Sequence, residues 1–245
     1  MDRHNPVALI TGGSGGIGAA LCRSFGSAGY RIALHYSRDL ASARALQEEL
    51  AGRGAPCRLL RADLCRPGAA ASLVRAALRG FGRLDVLVNS AGAVLGQKDF
   101  LEMPEADWER TLRLNAGAPF FLCREAFRAM RRRGGRIINI SSIAAKFGGS
   151  ARSMHYGAAK AALEAVTVGL ARHGARYDIL VNAIRPGVID TDFHRGFKKD
   201  MARRIAMIPL KRMGRPEEVA ALALHLAGPG GDFITGQVLS VTGGE

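Results

Sequence analysis

The most constraining feature of the chain is the regular alternation of short apolar runs with helical patterns over its 245 residues. The strand-like runs lie at 6–10, 30–36, 56–63, 84–89, 136–140, 179–184 and 237–241. Helical patterns fill the intervals, up to 28 and then at 40–50, 68–80, 104–130, 154–171 and 216–226. Strands that alternate with helices pair in parallel, with helices on both faces of the sheet. The sequence therefore predicts an α/β fold, a doubly wound parallel sheet of about seven strands, with residues 1–245 in one domain.

Composition narrows the class of protein further. Apolar residues make up 48% of the chain and charged residues 23%, which is typical of a soluble domain with a substantial core. No apolar run approaches the ~20 residues that a membrane span needs, and the N-terminus lacks a signal-peptide core, so we expect a cytoplasmic protein with no membrane partner. The four cysteines and six histidines show no metal-ligand spacing, which predicts no metal site.

The chain is strongly basic, with a net charge of +14. The arginines are spread over many predicted helices and form only one short run, at 131–133. Solvated helix faces are the first interpretation of such a distribution, and an acidic partner or phosphorylated ligand is the second. A nucleic-acid-binding module is the third, and we expect no nucleic-acid partner.

A glycine-rich turn, Thr11-Gly12-Gly13-Ser14-Gly15-Gly16-Ile17-Gly18, joins the first predicted strand to the first predicted helix. Small residues in such a turn let backbone amides approach a pyrophosphate, and the helix N-terminus adds positive potential. Because the strand, turn and helix occur in the required order, the segment predicts a dinucleotide site rather than a flexible linker.

The end of the second predicted strand bears on the choice of nucleotide. NAD-binding proteins often carry an acidic residue there for the ribose hydroxyls. Here the strand ends in His35-Tyr36-Ser37-Arg38, with no carboxylate before Asp39, which we assign to the cap of the following helix. A missing carboxylate together with Ser37 and Arg38 suits a 2′-phosphate. The sequence therefore favours NADP, with NAD as the alternative.

Residues 141–160 contain the side chains that indicate catalysis. Tyr156 and Lys160 are four residues apart in a predicted helix, so the phenol and the ammonium share one face. A nearby cation lowers the pKa of a phenol from its usual value of about 10. Ser141 and Ser142 follow the fifth predicted strand and add hydroxyl groups. A serine, an acidified tyrosine and a lysine could hold a carbonyl group and exchange a proton with it.

Over nearly its whole length the chain resembles the short-chain dehydrogenase/reductase family. The matching motifs are Thr11-Gly12-x-x-x-Gly16-Ile17-Gly18, Asp63, Asn89-Ser90-Ala91-Gly92, Asn115, Ser142, Tyr156-x-x-x-Lys160, and Pro186-Gly187 followed by Thr191. The resemblance implies a Rossmann fold and an NAD(P)-dependent oxidoreductase that interconverts a ketone and a secondary alcohol.

The chain departs from the family pattern at three points. Ser90 replaces the second of two usual asparagines, and Gly15 stands where NADP-preferring members often carry arginine. The spacing from Ser142 to Tyr156 is fourteen residues, one more than in many members. The extra residue lies in the loop at 146–154, which we expect to reshape the substrate entrance.

The resemblance also implies a role for each catalytic residue. Tyr156 is the general acid/base, and Lys160 lowers its pKa and holds the nicotinamide ribose. Ser142 hydrogen-bonds the carbonyl oxygen, with Ser141 as the competing candidate. Asn115, in the middle of a predicted helix, bonds backbone and water and so links Lys160 to solvent.

Cofactor contacts are implied along the carboxyl ends of several strands. The glycine turn is expected to contact the phosphates, and Asp63 and Leu64 are expected to contact the adenine. Residues 89–92 are expected along the adjoining ribose, and residues 186–191 beside the carboxamide of the nicotinamide. The predicted cofactor-binding residues are Gly12, Ser14, Gly15, Gly16, Ile17, Gly18, Ser37, Arg38, Asp63, Leu64, Asn89, Ala91, Gly92, Tyr156, Lys160, Pro186, Gly187, Ile189 and Thr191.

Within the family the chain is most similar to the 3-oxoacyl-(acyl carrier protein) reductase type, on the segments 214–220 and 235–238. That similarity implies a 3-oxoacyl thioester substrate and an acidic carrier that contacts Arg133 and Arg176. It also implies a tetramer assembled through the helices at 104–130 and 154–171. An alcohol or sugar dehydrogenase is the alternative, and a non-catalytic nucleotide-binding regulator is a third hypothesis.

A substrate lid is predicted at 190–210. This segment is basic and carries several aromatic side chains. The residues expected to cover the substrate are Phe193, His194, Phe197, Lys198 and Lys199.

Overall fold

Seven parallel strands form one sheet in the order β3-β2-β1-β4-β5-β6-β7 in a computed structural model, which describes residues 5–194 and 200–245. The strands are β1 (Val7–Ile10), β2 (Arg31–Tyr36), β3 (Cys57–Arg61), β4 (Val86–Asn89), β5 (Gly135–Ile140), β6 (Ile179–Pro186) and β7 (Val238–Val241). The order reverses between β1 and β4, as in dinucleotide-binding folds. The predicted doubly wound parallel sheet is confirmed.

Helices cover both faces of this sheet. They are α1 (Gly16–Ser27), α2 (Leu40–Gly52), α3 (Ala69–Phe81), α4 (Glu105–Leu112), α5 (Ala118–Met130), α6 (Ala144–Phe147), α7 (Met154–Gly174), α8 (Met201–Met207) and α9 (Pro216–Ala227). One core contains apolar side chains of α1, α2 and α9, and the other contains those of α3, α5 and α7. In the described chain no helix is long and apolar enough to cross a bilayer.

The central strands are mostly apolar because both of their faces are covered. All residues of β1, β4 and β5 are buried. Successive residues serve opposite cores: Leu9 packs with the α3 layer, and Ile10 packs with the α1 layer. Each fully buried side chain of this size contributes about 1.5–3 kcal/mol relative to exposure. The carboxyl ends of these strands are thus held on a rigid sheet.

One predicted helix differs in an informative way. The stretch at 104–130 is divided into α4 and α5 by a π-helical turn, Arg113–Gly117. Pro119 has no N–H to donate to the carbonyl of Asn115, so a regular α-helix cannot continue through this point. The Asn115 side chain instead donates to the Thr111 carbonyl at 2.9 Å. A π turn of this kind is frequently found at functional sites.

Candidate active site

A cavity of about 640 Å³ opens at the carboxyl edge of the sheet, above the ends of β1, β4, β5 and β6. Open α/β sheets bind ligands at this edge, where the strand order reverses. The structure brings most of the predicted site residues to its wall. Those residues are Gly12, Gly15, Gly16, Ile17, Gly18, Ala91, Gly92, Ser142, Tyr156, Lys160, Pro186, Gly187, Ile189 and Thr191.

The glycine turn forms one end of the cavity. The α1 helix begins at Gly16 with no described side chain capping it and no acidic residue in its first turn, so its first N–H groups are available to an anion. A Cβ at Gly15 would meet no described atom within 4 Å. A Cβ at Gly18 would lie 1.9 Å from the Gly12 carbonyl oxygen, so only glycine allows this approach of helix to turn. These features fit the pyrophosphate of a dinucleotide.

Two strand ends are joined at this turn by Thr11. Its hydroxyl oxygen accepts the N–H groups of Ser90 and Ala91, both at 3.0 Å. A Cβ at Gly12, whose φ is +68°, would lie 2.9 Å from the Ala91 Cα. The turn after β1 and the segment after β4 are therefore packed backbone to backbone beside the cavity.

The predicted 2′-phosphate residues lie beyond the cavity wall. Ser37 and Arg38 are exposed immediately after β2. Asp39 caps α2, because its Oδ1 accepts the Ser42 N–H at 2.9 Å, as the sequence predicted. This carboxylate is therefore engaged, and the exposed end of β2 presents a hydroxyl and a guanidinium. That arrangement fits a phosphorylated ribose better than one with free hydroxyl groups.

Other predicted cofactor residues also lie outside the cavity wall. Ser14 is half-buried in the glycine turn. The Asp63 side chain is 52% exposed, and its Oδ1 accepts the Cys65 N–H at 3.0 Å. Leu64 is buried in the core beneath α3.

Asn89 does not present its side chain to the cofactor side. It is 2% exposed, and its Nδ2 donates to the Asn139 Oδ1 at 2.8 Å inside the sheet. Asn139 in turn donates to the Thr167 hydroxyl at 2.9 Å, so the three residues link β4, β5 and α7. The predicted contact of Asn89 with the ribose is thereby restricted to its main chain.

Tyr156 and Lys160 lie at the other end of the cavity, in the first turns of α7. The Lys160 Nζ is 5.6 Å from the centre of the Tyr156 ring, as expected for two residues on one helix face. It donates to the Ile140 carbonyl at 2.7 Å, which fixes it at the end of β5. Both side chains are buried, Tyr156 at 8% exposure and Lys160 at 3%.

Burial controls the protonation of this pair. It raises the pKa of Tyr156 to about 12, although the Ser142 hydroxyl acts in the opposite direction. It also lowers the pKa of Lys160 to about 8, with the nearby Glu164 carboxylate opposing that change. Removal from water penalises the charged form of each group. The pKa of the phenol thus moves in the direction opposite to the one predicted from the Tyr-x-x-x-Lys spacing.

The two candidate serines differ in their partners. Ser142 interacts through its hydroxyl with Tyr156 and accepts the Ala144 N–H at 3.2 Å. Ser141 donates to the Glu164 Oε1 at 2.6 Å and is 3% exposed. The geometry therefore favours Ser142 over Ser141 as the hydroxyl that faces a substrate oxygen.

Glu164 was missed by the sequence analysis. It lies one helical turn beyond Lys160 and forms a bidentate ion pair with Arg185, at 2.9 Å and 2.6 Å. With the bond from Ser141, it joins α7 to the ends of β5 and β6. Nothing in the local sequence identifies this cluster, because its members are 21 and 23 residues from Glu164.

Asn115 is fully buried behind the catalytic pair. Its side chain donates to the Ala93 carbonyl at 2.8 Å and accepts the Ala93 N–H at 3.2 Å. A Cβ at Gly92 would lie 2.7 Å from the Asn115 Oδ1 and 3.2 Å from the Lys160 Nζ. Gly92 therefore lets Asn115 and Lys160 approach the same point, and the link from Lys160 through Asn115 to solvent stays a prediction.

The substrate side of the cavity is mainly apolar. Phe193 packs against Tyr156 with ring centres 5.9 Å apart, and Phe147 and Val94 line the same space. Arg204 of α8 also lines it and is paired with Glu245. In the predicted lid, Phe197, Lys198, Lys199 and the side chain of His194 lie outside the described residues.

The loop at 146–154 begins with a helix that the sequence did not predict. The short α6 ends at Phe147, and Gly148 and Gly149 follow with φ of +78° and +80°. The turn then continues to Ser153, which lines the cavity with Ser150. In the described chain no group of three or more His, Cys, Asp or Glu side chains is placed to hold a metal ion.

Comparison with known proteins identifies the family. A family model described as enoyl-(acyl carrier protein) reductase matches residues 12–245. An acetoacetyl-CoA reductase of Rhizobium meliloti is 37% identical, covering 98% of each chain. The 3-oxoacyl-[acyl-carrier-protein] reductase FabG of Aquifex aeolicus is 34% identical, covering 97% of this chain and 96% of its own.

Solved structures agree with the sequence comparison. A metagenomic blue fluorescent protein in complex with NADPH superposes with a TM-score of 0.93 at 37% identity, covering 100% of this chain and 99% of its own. A Burkholderia cenocepacia short-chain dehydrogenase in complex with NADP gives 0.91 at 33% identity, covering 99% of each chain. Coverage of this extent, together with the Tyr156 and Lys160 geometry, shows that the chain belongs to the short-chain dehydrogenase/reductase family of NAD(P)-dependent oxidoreductases.

Proposed function

We propose that the chain reduces the C3 ketone of a 3-oxoacyl thioester to a secondary alcohol with NADPH. One observation carries the proposal: Ser142, Tyr156 and Lys160 converge at one end of a cavity whose other end is an uncapped, glycine-lined helix N-terminus. The acetoacetyl-CoA and 3-oxoacyl-[acyl-carrier-protein] reductases that the chain resembles support the thioester, because both substrates have this ketone.

The bound nicotinamide supplies a hydride, and the residues of the chain manage the oxygen and the proton. The Ser142 hydroxyl donates a hydrogen bond to the carbonyl oxygen and stabilises the negative charge that develops there. Tyr156 donates its proton to the same oxygen as the general acid. Its pKa of about 12 keeps that proton on the phenol at neutral pH. Lys160 places a positive charge beside the phenol and favours the phenolate that remains.

The proposed cofactor preference follows from the end of β2. Ser37 and Arg38 are exposed there, and Asp39 is engaged as a helix cap. A 2′-phosphate gains a charge-assisted bond from a guanidinium, whereas a ribose hydroxyl finds no free carboxylate at this strand end. The structures with NADPH and NADP that resemble this chain support the same preference.

A substrate panel tests the proposal. Acetoacetyl-CoA and a carrier-linked 3-oxoacyl chain should be reduced with NADPH at kcat/KM values well above those for simple ketones and sugars. Crotonyl-CoA belongs in the panel, because the matching family model is described as an enoyl reductase. Faster reduction of crotonyl-CoA than of acetoacetyl-CoA would overturn the proposed ketone substrate. Faster turnover of a free alcohol or sugar would favour the alternative dehydrogenase.

We also propose an acidic carrier as the partner of Arg133 and Arg176. Both are exposed, but they precede β5 and β6, at the edge of the sheet opposite the cavity. A six-residue strand separates the two edges by about 20 Å. The proposed contact therefore requires an assembly in which these arginines lie beside the cavity of another copy. Reversal of both charges should raise KM for a carrier-linked substrate and leave KM for its N-acetylcysteamine thioester unchanged.

The remaining parts of the proposal are a homotetramer, a cytoplasmic location and a place in fatty acid synthesis. The tetramer is supported by large apolar side chains exposed on the α4, α5 and α7 layer, among them Trp108, Phe120 and Phe121. The fatty acid role depends on carrier-linked turnover. If only the CoA ester is reduced, the closer comparison is acetoacetyl-CoA reductase.

A further inference from the structure

His35 is a buried titratable residue that the proposed mechanism does not use. It lies in β2, is 1% exposed, and contacts the glycine turn on one side and β3 on the other. Its Nδ1 is 3.1 Å from the Gly12 backbone nitrogen, and its Nε2 is 3.1 Å from the Ala62 carbonyl oxygen. Its own carbonyl accepts the Gly13 N–H at 2.8 Å. One residue therefore binds two successive amides of the glycine turn.

These partners determine the protonation of the ring. The Gly12 N–H is a donor, so Nδ1 must carry a lone pair and accept. The Ala62 carbonyl can only accept, so Nε2 must carry the proton. The imidazole is thus neutral, with its proton on Nε2. Protonation of Nδ1 would direct an N–H against the Gly12 N–H and break that bond.

We propose that neutral His35 is a positioning residue for the cofactor, because it holds Gly12 and Gly13 in the conformation that receives the pyrophosphate. Gly12 lies at a tightly packed point of the turn, since its φ is +68° and an added Cβ would lie 2.9 Å from the Ala91 Cα. In acid the ring takes up a second proton, the bond to Gly12 is lost, and the dinucleotide binds less tightly.

The surroundings of His35 agree with a neutral ring. Burial lowers its pKa, and the bond to Ala62 opposes that change only in part. The glycine turn and residues 89–91 carry no charged side chain. The charged groups on or next to the other flanking elements are half-buried Arg31 at the start of β2 and a set of exposed side chains, namely Arg38, Arg58, Arg61, Asp63, Arg75 and Arg79. None of these is a cause of the shift in the pKa of His35.

Two substitutions separate the two bonds of the ring. His35→Asn can keep an acceptor for the Gly12 N–H but loses the donor to Ala62, and His35→Gln keeps that donor but loses the acceptor. Neither side chain titrates. We expect His35→Gln to weaken NADP⁺ binding about three- to tenfold at neutral pH, the range that one net hydrogen bond supports, and His35→Asn to weaken it less. Exposed His225→Asn on α9 is the matched control and should bind normally.

The decisive measurement is the pH dependence of binding by isothermal titration calorimetry, with NADP⁺ and NAD⁺ as probes. The 2′-phosphate of NADP⁺ also titrates, with a pKa of about 6. This titration affects the native chain and every variant equally, and it is absent with NAD⁺, which lacks the 2′-phosphate. Below pH ~6.5 the native chain should lose affinity for both probes more steeply than His35→Asn does. Equal slopes for the native chain and His35→Asn would overturn the proposal. Tighter binding in acid by the native chain would also overturn it, because the added positive charge would then outweigh the lost hydrogen bond.

Nitrogen NMR of the cofactor-free chain gives a readout that does not depend on turnover. At neutral pH the His35 signals should report the proton on Nε2, and the pKa of its ring should lie below the ordinary histidine value. A proton on Nδ1 would contradict the proposed bond from Gly12. These tests need only nucleotide binding, so a failure of the 3-oxoacyl substrate assignment would leave them interpretable. Melting curves identify any variant that loses affinity through unfolding.

Discussion

The hydroxyl of Tyr156 is the one proton donor in the described cavity that both faces Ser142 and lies beside Lys160. Tyr156→Phe removes that proton and leaves the ring and its contact with Phe193. General acid catalysis typically accounts for about 10²–10⁴-fold in rate, so kcat for ketone reduction should fall by that amount. Calorimetry should show NADP⁺ affinity close to that of the native chain. A variant that retained the native rate would exclude Tyr156 as the acid.

The pKa values of the buried pair predict which group limits the rate in alkali. Tyr156 keeps its proton up to about pH 12, whereas Lys160 loses its positive charge as the pH rises through about 8. Reduction needs both protons in place, so kcat should be constant at lower pH and fall above pH ~8 with the loss of one proton. Rates measured from about pH 6 to pH 10 check this. A profile that stays flat to pH ~10 would contradict a lowered pKa for Lys160 in the working enzyme.

At the scale of secondary-structure elements, the Glu164 cluster fixes the relative positions of α7, β5 and β6. Glu164→Gln removes the carboxylate that Arg185 and Ser141 share, and leaves a mostly buried guanidinium without its counter-charge. A hydrogen bond to a charged group is worth about 1.5–3 kcal/mol, so the free energy of unfolding should fall by about that amount. Because Glu164 also raises the pKa of Lys160, the alkaline fall in kcat should move to lower pH.

A matched substitution separates these two effects. Glu49 pairs with Arg23 and Arg53 on the surface of the α1 and α2 layer, and both arginines are about half exposed. Exposed ion pairs contribute about 0–1 kcal/mol, so Glu49→Gln should cost little stability and leave the pH profile unchanged. If Glu164→Gln lowered the melting temperature without moving the profile, its role would be purely structural.

The sequence predicted the elements well where local pattern determines them. All seven strands were placed, the central ones because continuous apolar runs are typical of strands covered on both faces. The π-helical turn was not predicted, although Asn115 was recognised as unfavourable in a helix interior. Pro119 is a local sign of this break, but the partner of the Asn115 side chain, Ala93, is 22 residues away in the chain and is not given by local pattern.

The same limit applies within the candidate site. The catalytic motif has a fixed spacing and could be read from the sequence, but the pKa of Tyr156 depends on burial by other elements. His35 was read only as the lack of a carboxylate. Its bonds to Gly12 and Ala62 exist because β1, β2 and β3 are neighbours in the sheet. Roles that depend on long-range neighbours require the structure.

At the scale of the whole molecule, the layer where the family resemblance predicts subunit contacts carries several exposed apolar side chains. Phe120 and Phe121 of α5 are each 40% exposed, and Trp108 of α4 is 44% exposed. Large apolar groups grouped on one surface are typical of interfaces. The α4, α5 and α7 layer is therefore the expected contact between copies.

Replacement of both phenylalanines by aspartate tests this assembly. Light scattering of the native chain should give four times its mass of 26.0 kDa. The variant that carries both Phe120→Asp and Phe121→Asp should give the mass of two copies or of one, because charges buried in an interface without partners are costly. Leu40→Asp, in the opposite layer on α2, is the control and should remain tetrameric. If the proposed carrier contact serves the cavity of another copy, the dissociated variant should also lose turnover of carrier-linked substrate more than turnover of the N-acetylcysteamine thioester. A native chain that scatters as a monomer would exclude both the tetramer and this route of carrier delivery.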